Sequence, residues 1–152
     1  MDWILFLIFL AATGGAAATG SLFSPDDWYR GLDKPAWNPP DWVFPVVWTT
    51  LYLFLAFVGQ RLAPMPGSAV AMAFWAMQIA FNTLWTPVFF GLRRMKVAFV
   101  VMLFLWVAVA GLMLAAFRLD TLSGLLMVPY LVWVTVAGML NWSVMRRNPS
   151  YA

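Results

Sequence analysis

The chain has 152 residues, of which 64% are apolar and only 10% charged, with a mean hydropathy of +0.83. A water-soluble domain of this length needs a far larger charged surface, so the composition excludes one and points to an integral membrane protein, one domain over residues 1–152. Cysteine and histidine are both absent, which removes disulfides, thiolate metal sites, thiol nucleophiles, the commonest metal and haem ligand and the usual general base. Nine Lys and Arg against six Asp and Glu give a pI near 9.7, but these basic residues sit at the ends of apolar runs. That placement reads as a topology signal and not as a nucleic-acid surface.

Five apolar runs follow in order, at about Trp3–Phe23, Trp42–Leu62, Ser68–Phe90, Val97–Phe117 and Leu122–Met145. Each is near the ~20 residues that cross a bilayer as a helix. The first has no Lys or Arg before it, and Asp2 is its only flanking charge. A cleaved signal peptide begins with a basic segment, so this run is expected to be a true span. Its second half, AATGGAAATG (Ala11–Gly20), is nearly all small residues. Such a surface suits close helix packing, or a groove that admits a flat ligand.

Between the first two runs lies the one long connection, Ser24–Asp41; the others, Ala63–Gly67, Gly91–Lys96 and Arg118–Thr121, are short. Short connections predict successive helices side by side in an up-and-down bundle, with the long first loop as a candidate lid. Four prolines and three tryptophans crowd the stretch Lys34–Tyr52. Proline fixes φ and turns its predecessor away from helix, so Lys34–Pro40 is expected to be stiff and extended. Asp41 is then the expected N-cap of the second span, with Pro45 tolerated in its first turn. An interfacial aromatic belt explains scattered Trp, but less well prolines and tryptophans packed this densely.

One face of a five-span bundle carries Arg30, Lys34, Arg93, Arg94, Lys96, Arg146 and Arg147, and the other only Arg61 and Arg118. Seven against two puts the first loop and the C-terminus on the cytoplasmic side and the N-terminus outside. No Asp, Glu, Lys or Arg lies deep in any run, which argues against a proton pump or ion-coupled carrier. Neutral polar stripes take their place. Trp48 and Tyr52 share a face of the second span. Gln78, Asn82 and Trp85 share one in the third, with Thr83, Thr86 and Pro87 nearby, and Tyr130, Trp133, Ala137 and Asn141 share one in the fifth. Interhelical hydrogen bonding is one reading of these stripes. The other is a cavity where indole and phenol faces stack on a large apolar ligand and a few amides orient it. The third span also repeats Ala69, Ala73, Ala76 and Ala80, a small-residue face for close contact within the bundle or between two copies in a homodimer.

Three segments, WYRGLDKPAWNPPDWVFPVVWTTLY (Trp28–Tyr52), QIAFNTLWTPVFFG (Gln78–Gly91) and PYLVWVTVAGMLN (Pro129–Asn141), together resemble the TspO/MBR family in motif, order and spacing. Other names of that family are the translocator protein, the peripheral-type benzodiazepine receptor and the tryptophan-rich sensory proteins. The resemblance spans essentially the whole chain. It implies a five-helix bundle, often a homodimer in the membrane lipid, with a cavity among the first, second and fifth spans beneath the first loop. It also implies porphyrin ligands such as protoporphyrin IX, cholesterol-like sterols and benzodiazepine-site ligands. Trp28 falls at the family's loop tryptophan and Trp133 at a pocket tryptophan, a pair linked in bacterial members to light-dependent porphyrin breakdown. Trp37, Asn38, Pro39 and Pro40 match the loop signature, and Trp48, Asn82, Trp85, Ala137 and Asn141 match further family positions. The sterol stretch of animal members departs here: it reads LNWSVMRR, with Trp142 in the place of a tyrosine. The expected function is therefore that of a membrane receptor or carrier for tetrapyrroles. A light-driven oxidation of the bound porphyrin and a regulatory partner protein with an incidental cavity are the alternatives. No ordinary catalytic residue, metal ligand or resident cofactor is expected.

Overall fold

A computed structural model describes residues 1–152 and is helical throughout, without a strand. Five long helices, α1 (Trp3–Leu22), α3 (Val43–Leu62), α4 (Ala69–Thr86), α5 (Met95–Leu119) and α6 (Thr121–Arg147), are joined by short connections and one long loop. That loop contains a helical turn, α2 (Asp27–Arg30). A π-helical turn (Pro87–Gly91) extends α4, and a 3₁₀ turn (Pro149–Tyr151) follows α6. Helices α1, α3, α5 and α6 are each long and apolar enough to cross a membrane. The 18 residues of α4 are not, because Gln78, Asn82, Thr83 and Thr86 dilute their hydropathy. The protein is an all-α membrane protein.

Two of the long helices, α1 and α6, start on carboxylate caps. Asp2 caps α1, its Oδ1 accepting from the Leu5 N–H at 3.0 Å. Its own N–H donates to Gln60 Oε1 at 3.1 Å, which ties the start of α1 to the end of α3. Asp120 is the entire connection between α5 and α6. It caps α6 through the Ser123 N–H at 3.0 Å and accepts two N–H groups of Arg61 at 2.9 and 2.8 Å. Asp41 does not cap α3. The Val43 N–H donates to the Pro40 carbonyl at 3.0 Å, and this turn places Trp42, already helical at φ −67° and ψ −20°, in the cap position. Pro45 sits in the first turn of α3, where its missing N–H costs nothing. Nor is Lys34–Pro40 simply extended: the Asn38 N–H donates to the Pro35 carbonyl at 3.0 Å and closes a turn there.

Around the bundle the helices run α1, α3, α6, α5, α4 and back to α1. Consecutive α3 and α4 scarcely touch, against the expectation that short connections make neighbours, because α1 lies between them. At two crossings a glycine faces a phenylalanine ring. A Cβ on Gly59 would come within 2.6 Å of the Phe9 ring, and one on Gly111 within 2.5 Å of Phe74. The glycines of Ala11–Gly20 play no such part. Of that stretch only Thr13 and Ala16 are buried, and a Cβ on Gly14, Gly15 or Gly20 would meet nothing within 4 Å.

One core, built on Leu55, Val58, Leu62, Leu105, Val109, Leu112, Met127 and Tyr130, fills the half of the bundle away from the long loop. A second, smaller cluster packs Tyr29 and Leu32 of the loop on Val88, Phe89, Met95, Leu140 and Val144. The first loop, the α4–α5 connection and the C-terminal segment meet at that end. Asp26 pairs with Arg93 at 3.0 Å and Asp33 with Arg147 at 3.6 Å. Asn148 both accepts from the Asp33 N–H and donates to its carbonyl, at 2.9 Å each. The Tyr29 backbone N–H, and after it the Arg93 guanidinium, hold the Asp26 carboxyl below the usual carboxylate range.

The Arg61 guanidinium and the Ser123 donors likewise hold Asp120 well below its ordinary value. A depressed carboxyl stabilises the fold at pH above its unfolded value and loses that contribution as the pH falls. Asp120→Ala should remove the α6 cap and the Arg61 pair together, a loss of about 1–2 kcal/mol for the cap alone. Thermal unfolding in detergent should show a lower Tm at neutral pH. It should also show a smaller decline below about pH 4 than the wild type, since the group that titrates there is gone.

Candidate functional site

Between the loop and the main core lies a cavity of about 600 Å³, to which all five long helices contribute. Ala17, Gly20 and Ser21 of α1 form one side, and the absence of larger side chains there keeps it open. From α3 come Phe44, Pro45, Trp48, Thr49 and Tyr52, on one face at i, i+4 and i+8 spacing. Asn82, Trp85 and Thr86 face them from α4, with Phe89 and Phe90 from the π turn. Ala137, Leu140, Asn141 and Val144 of α6 and Met102 and Leu105 of α5 complete the wall. Pro25, Tyr29, Arg30 and Asp41 stand at the loop end.

The π turn has a local cause. Pro87 has no N–H to donate, and the ladder resumes one residue wider, with the Leu92 N–H on the Pro87 carbonyl at 2.9 Å. The turn brings Phe89 flat against Trp85, ring centroids 5.0 Å apart and planes 23° apart. Trp48 and Tyr52 stack similarly, at 5.6 Å and 28°. Aromatic faces thus line opposite sides of the space.

The floor is a chain of hydrogen bonds. Tyr52 Oη donates to Asn82 Oδ1 at 3.0 Å, Asn82 Nδ2 donates to Tyr130 Oη at 2.8 Å, and Tyr130 donates to Gln78 Oε1 at 2.7 Å. On the α4–α6 side Trp85 Nε1 donates to Asn141 Oδ1 at 2.9 Å, and Asn141 Nδ2 to the Met95 carbonyl at 3.2 Å. The reading of the polar stripes as interhelical hydrogen bonding holds, and the same amides border the cavity. At the mouth, Arg30 pairs with Asp27 at 3.1 Å, while Asp41, freed from capping, makes no ion pair. No three His, Cys, Asp or Glu side chains are gathered anywhere in the fold. The arrangement is shaped for an apolar, flat guest, with aromatic faces on its walls and neutral amides on its floor.

Of the residues singled out in the sequence, Trp48, Tyr52, Asn82, Trp85, Ala137 and Asn141 line the cavity together. Tyr130 lies one layer beneath, fully buried. Trp133 is outside the lining, edge-on to Phe44 at 5.6 Å and to Trp48 at 6.4 Å, its indole N–H buried without a partner. Trp28 packs behind the wall on Phe89 and Tyr151, both at 6.0 Å, under the Arg93 guanidinium. Its indole N–H is also unpartnered, as is the side-chain Oδ1 of Asn38. Trp37 is 49% exposed and away from the cavity. Ala69, Ala73, Ala76 and Ala80 are all exposed along the outer face of α4. Sequence reasoning missed Phe44, Thr49, Leu140 and Val144, which extend the two legible stripes by one turn. It also missed Phe89 and Phe90, whose direction depends on the π turn that Pro87 only hints at.

The TspO/MBR family profile matches residues 4–147. A tryptophan-rich sensory protein of Cereibacter sphaeroides is 55% identical over 148 residues, 97% of this chain and 94% of that protein. Protein CrtK of Rhodobacter capsulatus is 46% identical over 153 residues, 98% and 96% of the two chains. The translocator protein of Homo sapiens is 34% identical over 154 residues, 96% and 91%. The chain, with its aromatic cavity beneath a long first loop, belongs to the TspO/MBR family.

Proposed function

We propose that the protein is a membrane receptor or carrier for tetrapyrroles of the protoporphyrin IX kind, acting in their transport, sensing or disposal. The observation that carries this is the cavity itself. It is about 600 Å³, walled by Trp48, Trp85, Phe44 and Phe89, floored by amides and free of charge except at its mouth. A planar macrocycle stacks on those rings, its carboxylates face the loop end, and Arg30, whose pair with Asp27 is exposed and exchangeable, is the cation lining that end. With no His or Cys in the chain, a metal-free porphyrin suits the site better than one that needs an axial ligand. In this reading α4 with its π turn is the fifth span, the first loop is the lid, and the loop end is cytoplasmic. Sterol and benzodiazepine-site ligands are secondary guests of the same space.

Ala137 is the small residue of the α6 wall. Ala137→Leu fills that space, and protoporphyrin IX should quench tryptophan fluorescence of the variant about tenfold more weakly or worse than that of the wild type, measured in the dark. Quenching that is unsaturable or indifferent to the substitution sinks the reading, because the porphyrin is then partitioning into detergent.

A light-driven oxidation of the guest has one observation in its favour. Trp133 reaches the cavity wall through its edge contact with Trp48. Trp133→Phe should abolish light-dependent loss of bound porphyrin while leaving its affinity in the dark within about twofold, since an aromatic ring is kept and Trp133 lies outside the cavity lining. Equal photolysis rates in the two proteins would exclude this role.

The exposed alanine face of α4 is the proposed surface of a homodimer. Ala73→Cys should crosslink to a covalent dimer in native membranes; monomer alone under oxidising conditions would count against it.

A further inference from the structure

A second apolar groove, of about 360 Å³, runs along the outer face of the bundle between α5 and α6. Phe99, Leu103 and Trp106 form one wall and Gly138, Met139 and Trp142 the other. Trp106 Nε1 donates to Thr135 Oγ1 at 2.9 Å across the two helices, so the polar atoms between them are satisfied without a guest. The groove is distinct in chemistry from the central cavity: no amide or carboxylate lines it.

Its loop end is positively charged. Lys96 stands one turn before Phe99 on α5, and Arg146 one turn beyond Trp142 on α6, with its guanidinium 4.9 Å from the centre of the Trp142 ring. The helices run in opposite directions, so both cations lie at the same end. Arg30, Arg61, Arg93 and Arg147 each pair with an aspartate. Lys96 and Arg146 pair with none, and both are exposed. An apolar groove with two unpaired cations one helical turn beyond its lining, at the same end of two apolar helices, is complementary to one class of molecule. We propose that the α5–α6 groove is a binding site for an anionic glycerophospholipid. One acyl chain lies along Leu103 and Met139, and the phosphate sits between Lys96 and Arg146. Arg146 is held in place by Trp142, whose indole face keeps the guanidinium over the groove mouth. Basic pockets between membrane helices are suited to such headgroups.

The test is native mass spectrometry of the detergent-purified full chain, offered phosphatidylglycerol and phosphatidylcholine with the same acyl chains. The wild type should retain one phosphatidylglycerol with a preference of at least about tenfold over phosphatidylcholine, as two juxtamembrane cations give. Lys96→Gln with Arg146→Gln should bring that preference to about one. Leu103→Trp, at an exposed position, should lower retention of both lipids by filling the groove. Protoporphyrin quenching in the central cavity should be the same in all three proteins, which certifies their fold. Equal retention of the two lipids by the wild type would overturn the proposal, as would undiminished preference in the charge-neutralised variant. Displacement of phosphatidylglycerol by a neutral sterol with no dependence on Lys96 and Arg146 would also overturn it, assigning the groove to a different lipid class.

Discussion

Tyr130 is buried to its last atom in the middle of α6, and the rest of the interior is arranged about its hydroxyl. That oxygen accepts from Asn82 and donates to Gln78, while Asn82 in turn accepts from Tyr52. The chain thus joins α3, α4 and α6, of which α4 borders neither of the others closely in the ring. Inside a membrane these groups have no water to turn to, so each must find its partner within the bundle. Individually such bonds average only about 0.6 kcal/mol in a membrane protein. Their effect is geometric: rotation of any one of the three helices about its axis breaks the chain and strands a polar group in hydrocarbon.

Everything else divides at that level. Below it, towards the Asp2, Gln60 and Asp120 end, Leu55, Leu62, Leu112 and Met127 close the space completely. Above it, Asn82 and Tyr52 present their upper sides to the cavity, and the small residues of α1 leave room that α3 and α6 do not fill. The amides of Asn82 and Asn141 have already spent an acceptor and a donor each on neighbouring helices. What remains to a guest is chiefly the faces of Trp48, Trp85 and Phe89 and the hydroxyls of Thr49 and Thr86. Under the proposed function a guest would be selected by shape and stacking, with charge entering only at the loop end.

The helices themselves were readable because apolar runs near 20 residues have few other fates. The polar stripes were readable because a 3.6-residue period puts Trp48 with Tyr52, Asn82 with Trp85 and Ala137 with Asn141 whatever the helices then do. The neighbour order was not. It depends on α1 fitting between α3 and α4, through contacts such as Phe9 with Gly59 and Trp75 and Asp2 with Gln60, between residues 50 or more apart in the chain. Asp41 failed as a cap for a local reason, since the Pro40–Val43 turn delivers Trp42 to the cap position and a side chain one residue early has no N–H to accept from. Trp28 and Trp133 illustrate a different limit. Their positions mark them as special, but whether an indole lines a cavity or packs behind its wall is decided by neighbours such as Phe89 and Phe44.

The loop above the cavity is held in two unequal ways. Its polar ties, Asp26 with Arg93 and Asp33 with Arg147, join side chains that are each about half exposed. Pairs of that kind are worth about 0–1 kcal/mol and weaken with salt. The apolar underside is stronger. Tyr29 and Leu32 are 8% and 6% exposed, and Tyr29 meets the Phe90 ring at 5.2 Å and carries the Lys34 ammonium on its face at 4.5 Å. Burying a side chain of that size contributes about 1.5–3 kcal/mol. The charges therefore set where the loop comes to rest, and the two buried residues set how firmly it stays. Because Tyr29 also lines the cavity, any motion that lifts it removes part of the loop's hold and part of the cavity wall in one step.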